Sequence, residues 1–139
     1  MNVVDTNVLS ELMRTQPDLL VVAHLDQLVP ELMFTTAITM AEIGYGIVRL
    51  PVGKRRTQLA VAAGILFDEV FADRILGFGV DCAAAYASIC ASRESAGRPI
   101  AAMDAMIASI CRLHQAVLLT RNVRDFELTG VTTVDPWLP

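Results

Sequence analysis

Basic charge is scarce in this sequence. Its 139 residues carry 11 Lys and Arg against 15 Asp and Glu, a formal net charge of -4, and Lys54 is the sole lysine. No global positive field advertises nucleic acid, so a phosphate-bearing ligand has to be held by local groups or by metal ions. Long apolar runs are missing too: Asp, Arg, Gly or Ser interrupts each one well before the roughly 20 residues of a spanning helix. The opening MNVVDTNVLSEL shows no basic region ahead of an apolar one. The expectation is a soluble, cytoplasmic protein with no membrane role.

Cysteine is sparse and unpatterned. Cys82, Cys90 and Cys111 form no CxxC and fall in helical apolar stretches, which suits small buried hydrophobes rather than a disulfide framework or zinc site. No GxSxG occurs, and His24 and His114 lie in apolar helical surroundings, where a partly buried imidazole is a better reading than a triad base. An aspartyl phosphatase of the haloacid dehalogenase class wants a second Asp two residues after the first and a catalytic Lys. Here Asn7 stands at that position and only Lys54 is available.

What is present is a core. With 54% hydrophobic and 19% charged residues, the chain is not disordered, and its length suits one domain over residues 1–139. Short β-rich runs at 2–5, 32–36, 74–78, 116–120 and 131–134 alternate with 3.6-period stretches. That alternation predicts parallel βαβ units, hence an α/β/α sandwich around a mostly parallel sheet of about five strands. The helices expected run from Pro17 and Asp18 to about Leu28, from Thr39 to Pro51, over 55–71, from an Asp81 cap to Gly97, and from Pro99 through Asp104. In such folds ligands gather at the carboxyl ends of the strands.

Acids sit at that edge. Asp5 ends the first strand. Glu42 begins a helix just past the second, although Thr39-x-x-Glu42 also matches a capping box. Gly46 lies one turn below Glu42, with Gly44 near it, either to clear space for an ion or to let helices pack closely. Asp104 interrupts the apolar IAAMDAMIASIC with no basic residue on its helical stripe, and a lone buried carboxylate normally neutralises, pairs or binds a metal. After the fourth strand, RNVRDF adds Asn122 and Asp125 at the same edge.

The motifs VVDTNVLSE, TTAITMAEIGYGI, RPIAAMDAMIA, LLTRNVRDF and VDPW, in this order and spacing, resemble a PIN domain of the VapC toxin type, closest to the FitB-like branch. The resemblance implies a ribonuclease dependent on Mg²⁺ or Mn²⁺ and a toxin neutralised by a cognate antitoxin. By position it makes Asp5 and Asp104 the metal-binding pair and Glu42 a third acid acting directly or through water. Asn122 stands where some relatives carry Asp, so Asn122 or Asp125 fills the fourth place. Thr6, Asn7 and Thr120 are expected to orient the acids, and Arg121 and Arg124 to contact RNA phosphate. A homodimer is also implied, with the stretch 59–67 serving as interface or as core. The rival expectation is a catalytically weak PIN domain that binds RNA or protein without cutting.

Overall fold

The computed structural model describes all residues from Met1 to Pro139. Five strands, β1 (Asn2–Val4), β2 (Met33–Thr36), β3 (Ile75–Leu76), β4 (Val117–Leu119) and β5 (Thr133–Val134), pair in the order β3-β2-β1-β4-β5, every pair parallel. Asn2 is in register with both Met33 and Val117, and Val3 with both Phe34 and Leu118, which places β1 at the centre. All five expected strands form, each shorter than its apolar run. The residues trimmed from their carboxyl ends include those that carry chemistry.

Because successive strand residues point to opposite faces, neighbouring apolar residues build two cores. Val4 and Leu119 pack with Val8, Leu25, Ile43 and Phe67, whereas Val3 and Leu118 pack with Ile89, Ile107, Cys111 and Phe126. The first core joins the sheet to helices α1 (Thr6–Leu12), α2 (Leu19–Asp26), α3 (Ala37–Val48) and α4 (Lys54–Ile65). The second joins it to α5 (Ala83–Ser95) and α6 (Ala102–Leu113). Helices thus cover both faces, as the alternation predicts. No helix is long and apolar enough to cross a membrane.

Several helix ends differ from expectation. The cap of α3 is Thr36, not Thr39: β2 runs directly into the helix, and the Thr36 hydroxyl accepts from Thr39 N at 3.0 Å. Glu42 therefore has no capping box to close. Within α3, Met40 faces outward, 42% exposed, while Thr39 and Ile43 are buried. Asp81 lies within a 3₁₀ turn, Val80–Cys82, that precedes α5, rather than capping it. Pro99 stands ahead of α6, whose cap position is Ala101. Gly97 does end α5 with φ +71°, in the left-handed region.

Helix α4 continues through a π turn, Leu66–Val70, which accounts for the length read as one helix. The stretch 59–67 is core in part: Ala63 and Phe67 are buried, whereas Val61 and Ile65 are exposed. All three cysteines are free, and Cys82 and Cys111 are buried. His24 is half-buried as expected. His114 is exposed, because it falls at the C-cap of α6 beyond the buried face.

Candidate active site

Asp5 follows β1 and caps α1. Its main-chain N donates to Leu119 O at 3.0 Å, so the sheet ladder fixes its backbone, and only 4% of the residue is exposed. Its Oδ1 accepts from Thr6 N at 2.8 Å. Its Oδ2 accepts from the Thr120 hydroxyl at 2.7 Å and from Asn7 Nδ2 at 3.3 Å. Burial raises the Asp5 pKa, and the bonds from Thr120, Thr6 and Asn7 pull it back down.

The network extends outward. Asn7 Nδ2 also donates to Thr120 Oγ1 at 3.2 Å, and Asn7 Oδ1 accepts from Arg121 N at 3.1 Å. Asn122 N donates to Thr120 Oγ1 at 3.1 Å. The ends of β1 and β4 are thereby tied together around one carboxylate. Thr6, Asn7 and Thr120 hold the places expected of orienting groups.

Glu42 enters from α3. Its Oε1 accepts from the Thr6 hydroxyl at 3.0 Å, and with that proton so used the Thr6 oxygen is left to accept from the Thr39 hydroxyl at 3.2 Å. Burial raises its pKa, the Thr6 bond opposes this, and the charge of Asp5 adds to the rise. A Cβ added at Gly44 or Gly46 would meet nothing within 4 Å, so close packing does not explain these glycines. Gly46 instead borders a cleft of about 580 Å³ that leads from Thr6 and Glu42 to Arg14 and Arg55.

Asp104 lies in the first turn of α6, as its place after Pro99 predicts. It is half-buried and forms no salt bridge. Burial first, then the charges of Asp5, Asp125 and Glu42, push its pKa to about 6, against a downward pull from Arg93. Those couplings bring all four acids into one electrostatic neighbourhood. Cys111, two turns further along the same face of α6, is pushed to about 12 by burial and by Asp5, so it is an inert thiol.

The fourth position is a 3₁₀ turn, Val123–Phe126, capped by Asn122. Asn122 O accepts from Asp125 N at 2.9 Å. Both side chains are exposed, and the Asp125 carboxylate pairs with no cation. Arg121 and Arg124 are exposed on either side, the Arg121 guanidinium lying 4.9 Å from the centre of the Trp137 ring.

Sequence reasoning missed one charged residue here. Arg93 of α5 is buried, 5% exposed, and has no carboxylate partner. Its one outward sign is an arginine near the end of a helix that is otherwise small and apolar.

An oxygen-only donor set of carboxylates and an amide suits a hard divalent cation. No three His, Cys, Asp or Glu side chains close into a ready-made cage. The half-buried Asp104, held near a pKa of 6 by burial and then by its acidic neighbours, has a charge to be compensated.

The PIN domain family model matches residues 3–130. The chain belongs to the PIN-domain family. It is 38% identical over 137 residues to the toxin FitB of Neisseria gonorrhoeae, covering 99% of each chain. It is 36% identical over 141 residues to VapC ribonuclease Y4jK of Sinorhizobium fredii, covering 100% of this chain and 99% of that one. The crystal structure of FitAcB from Neisseria gonorrhoeae superposes with a TM-score of 0.89 at 37% identity, over 100% of both chains.

In this PIN domain Thr120 links both strand ends, so its hydroxyl is a sharp place to perturb. Thr120→Val removes the donor to Asp5 Oδ2 and the acceptor used by Asn7 and Asn122. Cleavage and Mn²⁺ affinity should each fall about 10–100-fold, read by steady-state kinetics and by titration. Unchanged values would show that Thr120 contributes packing alone.

Proposed function

We propose that this chain, as one PIN domain over residues 1–139, is a divalent-metal-dependent endoribonuclease and the toxin of a type II toxin-antitoxin module. The observation that carries this reading is the convergence of Asp5, Glu42 and Asp104, from β1, α3 and α6, on one carboxyl edge with all three pKa values raised. Groups poised in this way cluster at functional sites.

Asp5 and Asp104 would hold the ion, Mg²⁺ or Mn²⁺, with Glu42 and Asn122 or Asp125 acting directly or through water. An ion held there would supply Lewis-acid polarisation of the scissile phosphate and a more acidic water. Thr120, Thr6 and Asn7 fix the Asp5 carboxylate so that it meets the ion without reorganising. Glu42, tethered by the Thr6 hydroxyl, is placed to take a proton from water. Arg121 and Arg124, exposed beside the acids, give RNA phosphates the local positive charge that the whole chain lacks.

An antitoxin that inserts an arginine among the acids would compete directly with the ion. The exposed Val61 and Ile65 of α4 offer apolar area to a second copy of the chain. The deciding experiment incubates total cellular RNA with the protein in Mg²⁺ and in EDTA. Mg²⁺-dependent cleavage is the expected result, and cleavage that survives EDTA would overturn the metal model. Binding without cleavage under either condition would favour a non-catalytic RNA-binding module instead.

A further inference from the structure

We propose that Arg93 is a positioning residue for this site, holding from inside the fold the turn that carries Asn122 and Asp125 against the segment that leads into Asp104. The inference rests on the nuclease reading above. Its basis is a buried guanidinium whose bonds all go to main-chain carbonyls.

Arg93 Nη1 donates to Asp125 O at 2.8 Å and to Glu127 O at 3.0 Å, gripping both ends of the turn's second half. Its Nε donates to Arg98 O at 2.6 Å, and Arg98 N donates back to Arg93 O at 2.9 Å. The chain between α5 and α6 is therefore closed by a reciprocal pair. Three residues beyond Arg98 stands Ala101, the cap position of α6. One side chain thus fixes the approach to Asp104 and the turn of Asp125 relative to each other.

Burying a guanidinium without a carboxylate costs several kcal/mol unless its donors are satisfied. An apolar side chain would fill the same space more cheaply, so stability alone does not account for Arg93. The planar fork does, because it reaches carbonyls on two segments at once, which a compact ammonium does not match. Asp125 gives its carbonyl to this brace and keeps its carboxylate free. Phe126, 2% exposed, anchors the turn in the second core, and Arg98 adds an outer brace to Glu127 Oε2 at 2.7 Å and Arg124 O at 3.2 Å.

The test compares the full-length wild type with Arg93→Lys and Arg93→Gln at a temperature well below each Tm. Mn²⁺ affinity is read by electron paramagnetic resonance without RNA, and kcat and KM on a mixed-sequence fluorescent RNA. Both variants should bind Mn²⁺ about 10–100-fold more weakly and lose kcat to a similar degree, with KM within about threefold of wild type. Folded variants with unchanged Mn²⁺ affinity and kcat would overturn the proposal, and full rescue by lysine would overturn the role of the fork.

If neither variant folds, Arg98→Met combined with Glu127→Gln loosens the same turn from outside. Its kcat should then fall about threefold or more, and no change would overturn the proposal. A wild type that cuts no RNA would sink the nuclease reading, while the Mn²⁺ comparison would still decide the role of Arg93.

Discussion

Asp104→Asn should abolish RNA cleavage, by about a thousandfold, while making the metal-free protein more stable at pH 8. On the metal-dependent reading proposed above, the loss follows from removing a carboxylate that would hold the ion, whose charge stabilisation of the transition state is worth several kcal/mol. The gain follows from the pKa. Asp104 moves from an ordinary value of 3.8 to about 6 in the folded chain, because burial and three neighbouring acids disfavour its charge. The folded state therefore holds its proton at a pH where the unfolded chain has released it. Stability from this group is complete below about pH 4 and is lost as pH rises through about 6.

The gap corresponds to at most roughly 3 kcal/mol, and solvent screening of a half-exposed group reduces it to about 1 kcal/mol. Asparagine is neutral at every pH and escapes that loss. Urea melts in EDTA at pH 5 and pH 8 should show the wild type losing more stability at the higher pH than the variant, which keeps only the raised Asp5 and Glu42. Equal stability of the two proteins at pH 8 would mean that the acids do not repel. Added Mg²⁺ should stabilise only the wild type. Below about pH 6 the ion must also displace a proton, so metal affinity should rise with pH up to that point and then level off.

Asp5→Asn should be equally inactive, about a thousandfold down, yet destabilised rather than stabilised. The contrast lies in the hydrogen bonds. Thr120 Oγ1 already accepts from Asn7 Nδ2 and Asn122 N, so its own proton has to point at Asp5 Oδ2. An amide nitrogen in place of that oxygen sets donor against donor, at Thr120 and again at Asn7. If the amide turns round, the conflict moves to Thr6 N, which donates to Oδ1. Opposed buried donors cost about 1–3 kcal/mol. A melt showing Asp5→Asn as stable as wild type would refute the network as drawn, whatever happened to activity.

Strands and acids were legible in the sequence for one reason: each acid abuts an apolar run, and a run's end is visible as the next polar letter. Asp5 after NVV and Asn122 just beyond VLL are placed by that rule, and Asp104 by the apolar stripe it interrupts. Helix starts were harder to read. Thr36 ends a strand and caps a helix with no loop between, so the later Thr39-x-x-Glu42 imitated a cap that the backbone did not need. Asp81 and Pro99 carry the right chemistry for helix starts but stand one and three residues too early, in a 3₁₀ turn and a loop. Arg93 was invisible because main-chain carbonyls leave no mark in a sequence.

The strand order also sets when the surroundings of Asp5 are completed during synthesis. β1 and Asp5 leave the ribosome first, but the neighbour that completes Asp5, the end of β4 with Thr120, is made more than a hundred residues later. Every shorter nascent chain has an open sheet edge beside β1 and an Asp5 without its strongest hydrogen bond. The turn of Asp125 and the last strand, β5, follow later still. A growing chain therefore lacks the Thr120 bond to Asp5, and the pairing of β1 with β4, until β4 has been made.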